Sequence, residues 1–319
     1  MMPFSQPAMA ARALEVPVRR FTHHGAAVQA MADYQAALCE EASRRRSNGL
    51  TLTDQDRPDE VFCLCPARPG HAPLAIIGGM GPLSGALAFR RACARFQDSR
   101  AVVLYQACSM PDRSAVILGE GRPDTPLCRE MAFRLAAAVR LAVELAPAAG
   151  QPARCMIACN SAHYFWPLVV DDLRRAAARP CRVRMISLVE SSLEALGRES
   201  CRRALLLATE GARVGQVFSA PCRDRGIAFD EPSPPLSRLL MRAIYEGMKA
   251  LDDRRTVEIG NEYFETVSRS GQAYDCVLAG CTELALMIDL LRRSGSPTVA
   301  AFLSRVKVVD PVEEALGHA

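Results

Sequence analysis

The chain has 319 residues, half of them hydrophobic, and a formal charge of only +4. That is enough apolar sequence for one large core or two smaller ones, and two units of roughly 100 to 150 residues are the better expectation. The low charge, with no Lys/Arg stripe interleaved with aromatics, argues against nucleic acid as a partner, and no run approaches the ~18 apolar residues of a membrane span.

Residues 1–72 read differently from the rest. They open as a Pro/Ala/Arg mixture, and the spacing of Met31, Tyr34 and Leu38 predicts one helix over 27–46, stopped by Asn48-Gly49. Polar, Pro-rich sequence then runs from Thr51 to Pro73. This segment is expected to be a partly disordered N-terminal extension without chemistry, whose removal leaves activity largely intact. From Leu74 the pattern becomes strand, turn, helix, repeated. Short apolar runs at 74–77, 102–105, 155–158, 183–187, 204–208, 276–279 and 306–309 suit buried parallel strands, and amphipathic stretches at 128–145, 237–251 and 284–293 lie between many of them. Such alternation predicts an α/β fold, with ligands at the carboxyl ends of the strands.

Thirteen cysteines in a chain this long cannot all pair, and Arg12, Glu15, Arg19 and Arg20 break up any secretory apolar core. A reducing, cytoplasmic setting is the default, with the extension a candidate targeting or delivery arm. Cys63-Leu64-Cys65 lacks the usual zinc spacing, so no metal is expected. Two cysteines stand apart. Cys159 in Ala-Cys-Asn-Ser-Ala-His and Cys281 in Ala-Gly-Cys-Thr-Glu each close an apolar strand just before a helix start. A thiolate at a helix N-terminus is stabilised by the dipole and free N–H groups, so both thiols are expected to titrate nearer neutrality. One thiol on each side of a carbon suits racemisation without a cofactor.

Other motifs are weaker alone. Gly78-Gly79-Met80-Gly81-Pro82 permits a tight turn and close approach to an anion, but Ser84 stands where a dinucleotide fingerprint needs its third glycine. Arg113 could grip a carboxylate in two parallel hydrogen bonds, or be an ordinary solvated loop residue. Lys249 is one of only two lysines, with Lys307, in an Arg-rich chain, and it sits near a helix end where surface lysines are common. His163, four residues after Cys159, either tunes that thiol or packs its helix.

Taken together, Gly-Gly-Met-Gly-Pro, Pro-Asp-Arg-Ser-Ala-x-Ile-Leu-Gly, Ala-Cys-Asn-Ser-Ala-His, Leu-Leu-Ala-Thr, Ile-Tyr-Glu-Gly-Met-Lys and Ala-Gly-Cys-Thr-Glu resemble the cofactor-independent aspartate/glutamate racemase family, in family order from Ala75 to Pro311. The aspartate racemases are the nearest branch. The resemblance implies two pseudo-twofold-related three-layer α/β domains with parallel four-stranded sheets and an active site in the cleft between them. It divides the chain into residues 73–180 plus 299–319 and residues 181–298. It makes Cys159 and Cys281 the acid/base pair, gives Arg113 and Lys249 the substrate carboxylates, and lines the site with Gly81, Asn160, Ser161 and Thr282. It also implies a small dicarboxylic amino acid as substrate, no cofactor and a homodimer. Two family hydroxyls are replaced, by Gly85 and Ala212, with Ser84 a candidate substitute for the first. Two alternatives stay open: the same fold acting on another acidic substrate such as glutamate or a maleate-like acid, and a weak catalyst whose N-terminal arm carries targeting or partner binding.

Overall fold

The computed structural model describes residues 16–49, 57–81, 83–120, 122, 124–146, 151–175, 182–198 and 201–319. Ten strands form two sheets. The first has the order β1 (Val18–Phe21), β2 (Glu60–Leu64), β4 (Val102–Gln106), β3 (Leu74–Gly78), β5 (Ala153–Ile157) and β6 (Val183–Ile186). The second has the order β10 (Lys307–Val309), β9 (Cys276–Gly280), β7 (Ala204–Ala208) and β8 (Phe229–Asp230), with every pairing parallel.

Strand alternation sends odd and even residues to opposite faces, and both faces of the first sheet are covered. Val61, Ala75, Val103 and Cys155 pack with α4 (Pro126–Leu145) and α5 (Trp166–Arg175). Phe62, Ile76, Leu104 and Met156 pack with α1 (His24–Ser47), α2 (Ser84–Phe96) and α13 (Pro311–Gly317). Continuous apolar strands are therefore what two-sided burial requires, and each of the seven apolar runs is a strand.

The first sheet differs from the expected four parallel strands. It is six-stranded and mixed, because the extension enters it. β2 runs antiparallel to β4, pairing Glu60 with Gln106 through Leu64 with Val102, and β1 lies parallel outside β2. The predicted helix is α1, whose Ala27, Met31, Tyr34, Leu38 and Ala42 form one buried stripe. It ends at Asn48, with Gly49 in the left-handed region. Phe62 is the link: fully buried, it meets Tyr34 at 5.2 Å and Phe89 at 6.4 Å between ring centres. Residues 16–49 and 57–72 are thus part of the first core and not an appendage, and β2 went unread because Pro-rich flanks mask its four buried residues. The rest of the extension, residues 1–15 and 50–56, lies outside the described residues.

Two further strands sit apart from the expected division. β6 pairs with β5 in the first sheet, although residue 181 was the expected boundary. β10 pairs with β9 in the second, so of residues 299–319 it is α13, through Val312, Ala315 and Leu316, and Ala319 after it that return to the first core. Backbone pairing, invisible to hydrophobic pattern, decides both. Among the described residues no helix is long and apolar enough to cross a membrane.

Candidate active site

A cleft between the two sheets encloses about 310 Å³ of empty space, its open mouth included. It lies at the carboxyl ends of β5 and β9, which end directly before Ala158-Cys159 and Cys281. Cys159 and Cys281 both line it, as do Arg113, Asn160, Ser161, Lys249 and Thr282. Gly81 does not. Its α-carbon packs against Glu283 so tightly that an added Cβ would fall 1.4 Å from Glu283 Oε1. This glycine is needed to admit a carboxylate side chain, rather than to cradle a ligand with its backbone. Gly79 is constrained otherwise, with φ +80° and its α-carbon against Ala107.

The two thiols have different settings. Cys281 caps α11 (Thr282–Ser294), and its S–H donates to Glu283 Oε2 at 3.0 Å. The Thr282 hydroxyl donates to the same oxygen at 3.1 Å, while Oε1 is buried without a hydrogen-bond partner among the described residues. Burial raises the Cys281 thiol well above its ordinary value, and the neighbouring Glu283 charge and hydrogen bond push the same way, against the pull of Lys249. The helix-dipole expectation is therefore overturned for Cys281. Burial, reinforced by a carboxylate at hydrogen-bond distance, outweighs the partial charge of a helix end.

Cys159 precedes a single 3₁₀ turn, Ser161–Phe165, before α5 begins. His163 holds it in place without touching the sulfur. The imidazole Nε2 accepts the Leu188 N–H at 3.0 Å, which leaves the proton on Nδ1 to donate to the Cys159 carbonyl at 3.0 Å. Stacked on Trp166 and buried, His163 is pushed down to about 4, so it is neutral and structural near pH 7.

Both cations are held from behind. The Arg113 guanidinium, 3% exposed at the start of α3 (Arg113–Glu120), donates to the carbonyls of Pro111 (2.8 Å) and Met80. Lys249 follows a π-helical turn, Ala243–Met248, where its N–H bonds back to the Ile244 carbonyl at 2.8 Å. Such turns place side chains that a regular helix would rotate away. Its Nζ stands 3.8 Å from Asp112 Oδ2 and 4.4 Å from the Tyr245 ring centre, and the Tyr245 hydroxyl donates to the same Asp112 oxygen at 2.9 Å. Burial opposes ionisation of Asp112, but Lys249, Arg113 and two hydrogen bonds together hold it below the ordinary carboxylate value.

The floor is stitched across the cleft by Thr209, the cap of α7 (Glu210–Val214). Its Oγ1 accepts from Ser114 Oγ at 3.2 Å and the Ala212 N–H at 3.2 Å, and its hydroxyl donates to Ser161 at 2.9 Å. The replaced family hydroxyls concern packing, because neither position lines the cleft. Ala212 points into an apolar cluster with Val217 and Phe218, and a side chain on Gly85 would strike Gln106 and Gly78. Asp112, Ser114, Thr209, Tyr245 and Glu283 also line the cleft, though sequence reasoning assigned them no role. Glu283 could have been suspected from the strings alone, as an acid two residues beyond a candidate thiol base.

Two thiols and two cations, Arg113 and Lys249, thus line one cleft of an α/β scaffold. The family model for Asp/Glu/Hydantoin racemase matches residues 77–319. The chain belongs to this family. Among solved structures it is similar to Picrophilus torridus aspartate racemase, with a TM-score of 0.55 and 19% identity over 78% of this chain and 92% of that one. It is also similar to a putative Asp/Glu racemase from Yersinia pestis, with a TM-score of 0.53 and 17% identity over 78% and 97%. At these identities the likeness speaks for the fold.

Proposed function

We propose that the protein is an amino-acid racemase that interconverts L- and D-aspartate by transferring the α-proton between Cys159 and Cys281, without a cofactor. The observation that carries this reading is the convergence of two thiols, Arg113 and Lys249 on one cleft. Two fixed cations match the two carboxylates of a small dicarboxylic amino acid. With both ends held, the α-carbon lies between the thiols, and each can address one face.

In the direction from D to L, Cys159 as thiolate takes the α-proton, and the Cys281 thiol delivers its own to the opposite face. Cys281 enters this half-reaction already protonated. In reverse, Cys281 must act as base, and Glu283 Oε2 at 3.0 Å is the acceptor that can take the thiol proton. Arg113, oriented by the Met80 and Pro111 carbonyls, stabilises the negative charge that develops on the α-carboxylate side. Near-complete burial of both cysteines keeps water from competing for the carbanion.

The reduced protein incubated with L-aspartate in heavy water should exchange the α-proton and accumulate D-aspartate, with a bell-shaped pH profile from the coupled thiols. Cys159→Ser and Cys281→Ser should each lower racemisation by about 10²-fold or more. Full activity in either variant would sink the two-base scheme. Exchange with glutamate but not aspartate would transfer the same chemistry to the longer substrate.

A further inference from the structure

The segments that carry both cleft cations are fastened by residues that precede the family match at 77–319. Asp59, just ahead of β2, reaches the loop between β4 and α3. One carboxylate oxygen accepts the Tyr105 hydroxyl at 2.7 Å, and the other accepts the Ser109 N–H at 2.8 Å. Arg134 donates to the Ser109 carbonyl at 2.9 Å, so this residue is held on both sides. Arg113 in turn takes its orientation from the carbonyls of Met110 (3.4 Å) and Pro111 (2.8 Å), the next residues along.

Arg46, in the last turn of α1, does the equivalent for Lys249. Its guanidinium donates to the carbonyls of Ala250 and Leu251, the latter at 3.1 Å, and lies 3.6 Å from the carboxylate of Asp252, the cap of α10 (Asp253–Arg269). Leu251 has φ +54°, a left-handed conformation that an L-residue keeps only when its surroundings impose it. The guanidinium across its carbonyl is such an imposition.

We infer that residues 16–72 are a positioning element for the substrate-holding cations: Asp59 fixes the loop of Arg113, Arg46 fixes the turn of Lys249, and the extension thereby sets the distance between the two. This rests on the assignment of those cations to substrate carboxylates made above. α1 and β2 pack in the same core, so polar contacts from one packed unit reach the two segments that carry the cations. A displacement of about 1 Å at a substrate-holding group can cost about 10²-fold in rate.

The test uses the full chain with Asp59→Ala, Arg46→Ala and the conservative Asp59→Asn and Arg46→Lys. KM and kcat for L-aspartate are measured separately, alongside amide hydrogen exchange of residues 107–113 and 246–252. The expected result is a rise in KM of about tenfold or more in each alanine variant, a smaller change in kcat, and faster exchange in the segment that has lost its tether. Asp59→Asn, which still accepts the Ser109 N–H, should recover most of the KM. A purely structural role would lower melting temperature and active fraction, scaling kcat and leaving KM unchanged; that outcome, or unaltered exchange in both segments, overturns the inference. If the wild-type protein does not racemise aspartate, the functional reading fails. The exchange data then decide the tethers by themselves, read in Asp59→Ser and Arg46→Gln, which shorten or remove the same contacts, should an alanine variant not fold.

Discussion

Substitution of Gly81 by alanine probes the linkage between the glycine loop and Cys281. The new Cβ would lie 1.4 Å from Glu283 Oε1, whereas ordinary contact begins near 3.4 Å, so the carboxylate must retreat by about 2 Å. That movement cannot preserve a 3.0 Å hydrogen bond from the Cys281 thiol to Oε2. Overpacking at such a site costs about 1–3 kcal/mol, which calorimetry should record as a fall of a few degrees in melting temperature. The thiol would keep the effect of burial but lose the hydrogen bond to the Glu283 side chain and part of the effect of its charge, both of which raise it, so its titration should move down. Alkylation of the Cys281 peptide by iodoacetamide, followed by mass spectrometry across pH, reads that midpoint directly. Glu283→Gln keeps the volume and removes the charge, so it should shift the titration in the same direction with little thermal penalty. The linkage has a definite sign: because the folded thiol titrates higher, its contribution to stability is complete below the unfolded value of about 8.5 and is lost as pH rises beyond it. Both variants should therefore lose less stability above that pH than the wild type. An unchanged alkylation midpoint in both would refute the coupling of Gly81, Glu283 and Cys281.

Two other outcomes follow from buried contacts. His163 is lowered to about 4 in the folded state from an ordinary 6.5, so folding stability should fall as pH drops through that window, by about 3 kcal/mol in all; in His163→Phe this dependence should disappear from urea titrations, at the cost of an unpaired Leu188 N–H at neutral pH. Phe62→Ala should destabilise the whole chain by about 3–5 kcal/mol, since the ring joins α1 to α2 through the sheet; loss confined to the extension, with the remainder melting as before, would show that the extension is separable.

The seven strands expected from apolar runs were legible because burial on two faces leaves a continuous apolar run with few alternative uses, a signal that β1, β2 and β8 do not carry clearly. The same holds for α1, whose stripe at helical spacing has only one way to be covered. The cysteines were legible for a different reason, since each follows an apolar strand at the same strand-to-helix position. The place of Arg113 and Lys249 in the cleft was legible only through family strings, as nothing in a lone basic residue near a loop or helix end distinguishes a cleft residue from a surface charge.

The order and partnership of the strands were not legible. A two-stranded addition at the β4 edge depends on hydrogen bonds between segments some forty residues apart, and an apolar run does not name its neighbour. Nor was the upward shift of Cys281, because a helix start predicts a stabilised thiolate, and it is burial first and the placement of Glu283 second that reverse the sign. Legible in the chain was the chemistry on offer: two thiols at like positions, an arginine, a scarce lysine and an α/β alternation to carry them. Tertiary structure alone decided that these meet in one cleft, that Gly81 makes room for a carboxylate beside one thiol, and that the N-terminal segment belongs to the same core. Those decisions rest on contacts between distant residues, whose electrostatic and steric effects fall off over a few ångströms and leave no periodic trace in the chain.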